Sequence, residues 1–171
     1  NPYVTDTSQF DFSWKKMDAH IEFMARVIPR GVNTYFPSTI KLESWMTAAN
    51  SEEYAEGAFA IIKRWKDRGY ELPYYAIMNE PGYARGGIWP GDLNANEAYI
   101  RAQIIMGDSV ARKYVGALAY HLYGGSNSNK TAMMLLGQQY NVPVWMTEYS
   151  RPNAFDWGNL IHDVIANYNV S

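Results

Sequence analysis

The sequence predicts an α/β fold with a parallel sheet, and three observations carry this prediction. Segments whose apolar residues recur at helical spacing alternate with short apolar runs rich in aromatic and β-branched residues, which are typical of strands. Glycine, proline or a polar residue ends each apolar run. Because helices are the usual connections between parallel strands, the alternation of helices and strands favours a parallel sheet.

Five helices and four strands are predicted, in the order α, β, α, β, α, β, α, β, α. Residues 1–12 show no period and are expected to be irregular. The helices are predicted over residues 13–30, 51–68, 96–113, 128–139 and 154–168, and the strands over residues 32–36, 72–79, 114–123 and 142–149.

Local signals justify the limits of these elements. Pro29 and Gly31 end the first helix, and Gly69 ends the second. The pair Gly124-Gly125 ends the third strand. The buried stripes of the second, fourth and last helices are predicted to be Tyr54, Ala58, Ile61, Ile62 and Trp65; Met133, Met134 and Leu136; and Trp157, Leu160, Ile161, Val164 and Ile165.

Length and composition restrict the class of protein. The 171 residues suit one domain, 1–171, since domains usually hold about 100–200 residues. A net charge of −2 gives no reason to expect a nucleic acid as a partner, and no apolar run is long enough to suggest a membrane span. The chain has no cysteine, which excludes thiol catalysis, and its first residues do not resemble a signal peptide. Aromatic residues reach 15 %, and Tyr and Trp suit contacts with sugar rings as well as a core.

Two predicted strands end in a glutamate. The run Tyr74-Tyr75-Ala76-Ile77-Met78 leads to Asn79-Glu80-Pro81, and Val144-Trp145-Met146-Thr147 leads to Glu148. Carboxyl ends of parallel strands share one edge of a sheet, where α/β enzymes place their chemistry. Two carboxyl groups about 5–5.5 Å apart can hydrolyse a glycosidic bond with retention, one as acid/base and one as nucleophile. A purely structural alternative is that Glu80 caps the following loop or pairs with Arg85.

These motifs carry a resemblance to a known family. Asn79-Glu80-Pro81 resembles the acid/base signature of clan A glycoside hydrolases, and Trp145-Met146-Thr147-Glu148 resembles the nucleophile signature of glycoside hydrolase family 30. His121-Leu122-Tyr123-Gly124-Gly125 is similar to the histidine-containing strand six of that family, and the order of motifs agrees over residues 31–152. The family includes glucuronoxylan-type endo-xylanases, β-1,6-glucanases and glucosylceramidases.

The resemblance implies a fold and a role for each matching residue. It implies a (β/α)8 TIM-barrel type, with Glu80 as acid/base and Glu148 as nucleophile. Asn79 matches the residue that holds the sugar 2-hydroxyl. His121 and Tyr123 would line the cleft, Trp45 matches an aromatic position after strand three, and Trp89 is a candidate stacking residue.

The sequence also departs from the family pattern. Residues 40–43 replace a Trp-Ser-Pro-Pro segment, and the stretch between Glu80 and the His121 strand is too short for a regular fifth strand. A full barrel needs about 250 residues, so a partial or reduced barrel is expected.

The resulting hypothesis is a retaining glycosidase. We expect a secreted, xylanase-like endo-enzyme that cleaves β-linked polysaccharide and uses no cofactor and no metal, since the three histidines lack metal-ligand spacing. Open alternatives are a β-glucanase of family 30 or family 5 type, and a non-catalytic carbohydrate-binding barrel fragment.

Overall fold

The structure, a computed structural model, describes residues 15–38, 51–79, 95–150 and 154–171. The chain divides into two compact units, residues 1–77 and residues 78–171, and each is described by itself. The helices of the first unit are α1 (Lys15–Val27) and α2 (Ser51–Asp67). In the second unit they are α3 (Ala95–Gly107), α4 (Asn127–Tyr140) and α5 (Ala154–Tyr168), and the strands are β1 (Leu118–His121) and β2 (Val144–Glu148).

In the first unit, α1 and α2 are joined by charged groups. The Asp18 carboxylate accepts hydrogen bonds from Arg64 Nε at 3.0 Å and Arg64 Nη2 at 2.7 Å, and from Arg68 Nη1 at 3.0 Å. These bonds and the two positive charges hold the pKa of Asp18 below its ordinary value of 3.8. Ile21 and Trp65 are buried, as expected for the apolar stripes of the two helices.

Removal of the Asp18 charge is expected to lower thermal stability in a pH-dependent way. Because the folded-state pKa of Asp18 is lowered, its ion pairs stabilise the fold above about pH 4, and this contribution is lost as the pH falls through the lowered value. Asp18→Asn should therefore melt below the parent at pH 7, and the difference in melting temperature should shrink as the pH falls below the ordinary pKa of 3.8. Asp67→Asn, which removes a single exposed pair with Lys63, is the control and should change little. A difference in melting temperature between Asp18→Asn and the parent that does not shrink at any acidic pH at which both remain folded would contradict this explanation.

Two predicted strands of the chain are not regular strands. Residues 32–36 form neither a strand nor a bridge, and within 72–79 only Ala76 and Asn79 take part in bridges. The described partner is Ser38, just after the first predicted strand, which pairs with Ala76 in parallel. Side-chain contacts hold this part instead: the Tyr35 hydroxyl donates to the Glu71 carbonyl at 2.6 Å, and the Tyr35 ring stacks on Trp65 at 6.2 Å. A run of aromatic and β-branched residues shows that the side chains can pack on a half-buried surface. It does not ensure that the backbone pairs with another strand by hydrogen bonds.

The second unit is built on a parallel β1–α4–β2 arrangement. Leu118 pairs with Val144 and Tyr120 with Met146, and α4 connects the two strands. After α5 the chain returns to the other edge of β2, where Val170 bridges Val144 in parallel. The buried core is formed by α3, both strands, α4 and α5, and its members are Ala95, Ala98, Ala102, Met106, Leu118, Tyr120, Leu122, Met133, Val144 and Val164.

Glycine and cap residues fix the helix that connects the strands. Ser126 caps α4 by accepting a hydrogen bond from the Asn129 amide at 3.3 Å, and Asn141 ends it in the left-handed conformation, with φ 54°. Gly137 lets α4 lie close to the sheet, since a Cβ there would stand 2.6 Å from Val144 Cγ2. The crossover helix therefore sets the position of β2 relative to β1.

Two limits predicted for the second unit are wrong. Helix α3 ends at Gly107 and not at residue 113, because the Asp108 carboxylate accepts hydrogen bonds from the Val110 and Ala111 amides at 2.7 and 2.9 Å and starts a 3-10 turn, Ala111–Tyr114. The following strand accordingly begins at Leu118 and not at residue 114.

The predicted buried stripe of the last helix is only partly correct. Val164 is buried, whereas Ile161 and Ile165 are 49 % and 58 % exposed. The periodicity identifies the helix, but only one side of its wide apolar stripe faces the core.

In the described parts of the chain, no helix has both the length and the apolar character that a membrane span requires.

Candidate active site

The candidate site lies where β1 and β2 end. The pairing is regular from Leu118↔Val144 to Tyr120↔Met146 and then shifts, so that His121 pairs with Glu148. Thr147 is thus the extra residue of a β-bulge. Beyond it, the Leu122 amide donates to the Glu148 carbonyl at 3.1 Å and fixes the two strand ends together. Without the bulge, Thr147 would be the residue opposite His121.

His121 and Glu148 form the centre of the site. The distance from His121 Nε2 to Glu148 Oε2 is 3.8 Å, which is too long for a direct hydrogen bond but places the imidazole next to the carboxylate. His121 is 1 % exposed, whereas the Glu148 side chain is 46 % exposed. A buried imidazole therefore stands beside a carboxylate that a ligand can reach.

Aromatic rings extend the site outward from this pair. The His121 ring meets Tyr123 edge to face at 6.0 Å, Tyr123 lies 5.8 Å from Tyr149, and Tyr149 lies 5.7 Å from Trp157. Tyr123 is 51 % exposed, while Tyr149 and Trp157 are half-buried. Tyr120, on the same strand as His121, is fully buried, and this burial together with Tyr168 and Asp163 raises its pKa to about 12. The sequence around His121 thus contributes one tyrosine to the core and another to the rim.

The remaining sequence-predicted site residues are only partly described. Asn79 is half-buried in the second unit and its backbone takes part in a β-bridge. Glu80, Trp45 and Trp89 lie outside the described residues. The structure therefore brings His121, Tyr123 and Glu148 together, and the meeting of Glu80 with Glu148 remains a prediction.

Sequence reasoning missed two residues beside the site. Tyr149 follows Glu148 directly, and Trp157 was assigned to the core because it matched the apolar period of the last helix. The signal that could have found them is the short sequence distance between Glu148 and the start of α5, because it keeps Tyr149 and Trp157 near the end of β2.

Among the described side chains, no three His, Asp or Glu residues come together as a metal site.

Comparison with known proteins supports the architecture. No protein-family model matches the chain, and no curated protein matches it. Among solved structures, it is similar to a GH30 endoxylanase from Clostridium papyrosolvens C71, with a TM-score of 0.68 and 20 % identity over 95 % of this chain. The chain has a GH30-like fold.

That similarity has a defined extent. The chain spans about half of the endoxylanase, 52 % of its length. At 20 % identity the similarity concerns the path of the backbone, and the chemistry has to be argued from the side chains that this chain carries.

Proposed function

We propose that the protein is a retaining glycoside hydrolase that cleaves β-linked polysaccharide with xylanase-like endo-action. In this proposal Glu148 is the nucleophile and Glu80 the general acid/base, and chain 1–171 is a partial or reduced (β/α)8 barrel that acts outside the cell. Asn79 holds the 2-hydroxyl of the sugar at the cleaved bond, and His121 and Tyr123 line the cleft beside Glu148. Trp45 is an aromatic residue of the cleft, and Trp89 stacks on a sugar. The reaction uses no cofactor.

One observation carries the proposal: the exposed Glu148 carboxylate stands at the carboxyl end of a parallel strand, 3.8 Å from a buried histidine on the adjacent strand. Catalytic groups of α/β folds occupy this edge. The GH30-like fold gives independent support, since the endoxylanase that shares it acts on a polysaccharide, as its name states. The Asn79-Glu80-Pro81 motif supplies the second carboxyl group that the reaction requires.

The proposed reaction proceeds in two steps. Glu148 attacks the anomeric carbon while Glu80 gives a proton to the departing glycosidic oxygen, which leaves a covalent glycosyl-enzyme. Glu80, now ionised, takes a proton from water, and the water oxygen displaces Glu148 from the anomeric carbon. Two inversions retain the β-configuration, and both carboxyl groups return to their starting protonation states.

The test is hydrolysis of a polysaccharide panel. Glucuronoxylan, β-1,6-glucan and cellulose are incubated with the parent, Glu80→Gln and Glu148→Gln, and reducing ends are measured. We expect release from xylan by the parent and loss of about 10³-fold or more in both variants, because each substitution removes an essential carboxyl group. Glu71→Gln, an exposed glutamate of the first unit, is the matched control and should retain full activity.

The panel also separates the alternatives. Preference for β-1,6-glucan or cellulose would replace the xylanase assignment by a β-glucanase of family 30 or family 5 type. The exposed Tyr123 ring and the half-buried Tyr149 ring near Glu148 favour a second candidate, a carbohydrate-binding module, which would be indicated by sugar binding without turnover in the parent. A parent that neither hydrolyses nor binds any of the three polymers would refute the proposed function.

A further inference from the structure

Three aromatic side chains, Tyr123, Tyr149 and Trp157, contact one another close to the strand ends at His121 and Glu148. Tyr123 and Tyr149 extend from neighbouring strand ends, with their planes inclined by 38° and their centroids 5.8 Å apart. Trp157 meets Tyr149 at 74°, edge to face, at 5.7 Å. The two tyrosine rings are therefore inclined to each other and in contact, and the Trp157 ring, from α5, contacts the second of them.

The exposure of these rings differs from that of the core aromatics. Tyr120, Tyr54 and Trp65 are each at most 8 % exposed, while Tyr123 is 51 % exposed. An aromatic ring left half in water beside an exposed carboxylate has a free energy to gain from covering its apolar surface. An aromatic face suits a ligand with an apolar face and polar edges, which describes a pyranose ring. The exposed Glu148 carboxylate would repel an anionic substituent, so a neutral sugar fits this place better than an acidic one.

We propose that Tyr149 and Tyr123 together form a stacking subsite for the neutral sugar unit next to the one held at Glu148, and that Trp157 is a positioning residue that holds the Tyr149 ring at its angle. This subsite rests on the proposed function. It specifies the substrate further, as a β-linked chain that carries an unsubstituted sugar next to the cleaved unit. Edge-to-face contact with Trp157 fixes the orientation of Tyr149 before the ligand arrives, which lowers the entropy lost on binding.

Binding measured without turnover tests the subsite. In the full chain carrying Glu148→Gln, affinities for xylobiose to xylohexaose are measured by isothermal titration calorimetry. Tyr149→Ala is expected to weaken binding of the longer oligosaccharides by about 5–10-fold, because a stacking contact is lost. Tyr149→Phe keeps the ring and should stay within about 2-fold, which separates stacking from hydrogen bonding by the hydroxyl.

A double-mutant cycle tests the role of Trp157. Trp157→Ala should weaken binding in the Tyr149 background and add nothing further in Tyr149→Ala, since Trp157 acts through that ring. Additive losses would show an independent role and overturn the positioning assignment. Melting temperatures of every variant are measured in parallel, and affinities are compared only among variants that remain folded at the assay temperature. If the alanine variants do not fold, Tyr149→Leu and Trp157→Leu, which keep an apolar side chain and remove the ring, take their place.

The outcomes distinguish this inference from the proposed function. Equal affinity of Tyr149→Ala and its parent for every oligosaccharide, or no measurable binding by the parent, overturns the subsite. Hydrolysis by the wild-type chain decides the proposed function separately. If the wild-type chain hydrolyses xylan but Tyr149→Ala does not change the affinity for oligosaccharides, the subsite is refuted and the proposed function stands.

Discussion

Replacement of Glu148 by alanine is expected to lower kcat for xylan hydrolysis by a factor on the order of 10⁴, and added azide is expected to restore turnover with an inverted product. Alanine removes the proposed nucleophile and leaves space at the strand end, where Glu148 is half exposed. Azide can then attack the anomeric carbon in its place. One displacement inverts the centre, so an aryl β-xyloside should yield the α-glycosyl azide, identified by NMR.

Glu80→Ala is the matched comparison, because the two carboxyl groups have different proposed roles. With an aryl leaving group that needs no protonation, the first step still forms the glycosyl-enzyme on Glu148, and azide then attacks it. Two displacements give the β-glycosyl azide. The same anomer from both variants, or no rescue of either, would contradict the roles assigned to Glu148 and Glu80.

The helices could be predicted well from the sequence, whereas only two of the four predicted strands, β1 and β2, form a ladder in the described residues. Helix α5 matches its predicted limits, because the helical spacing of its apolar residues can be recognised within the segment itself. A strand depends on a partner elsewhere in the chain, so the aromatic run ending at Asn79 has strand composition but forms only bridges in the described residues. The early end of α3 also depends on one side chain, Asp108, whose carboxylate competes for backbone amides.

The candidate site shows the same division. Lone polar residues after apolar runs identified His121 and Glu148 correctly as strand-end neighbours. The bulge at Thr147 could not be predicted, because a register shift appears only when two strands are paired, and this shift is what places Glu148 level with His121. The inclination of Tyr149 likewise depends on α5, whose position follows from packing and not from the Glu148 motif.

His121 is expected to act by positioning Glu148. His121→Phe keeps a buried ring against Tyr123 but removes both ring nitrogens, one of which lies 3.8 Å from the carboxylate. The carboxylate would lose its polar neighbour and lie against an apolar ring, where its orientation is less restricted and its charge is less well solvated. We expect kcat to fall by about 10–100-fold with KM nearly unchanged, because the loss concerns the reacting group more than substrate binding.

The split between kcat and KM separates this role from a purely structural one. Destabilisation alone would reduce the amount of active protein and would be visible as a lower melting temperature, whereas poor alignment of Glu148 should slow formation of the glycosyl-enzyme in a folded protein. His121→Asn, which retains a hydrogen-bond donor, should recover part of the rate. His162→Phe, at an exposed position of α5, is the control and should behave like the parent. A folded His121→Phe variant with unchanged kcat would show that the buried imidazole only packs, and that Glu148 is oriented by the bulge and by the Leu122 amide alone.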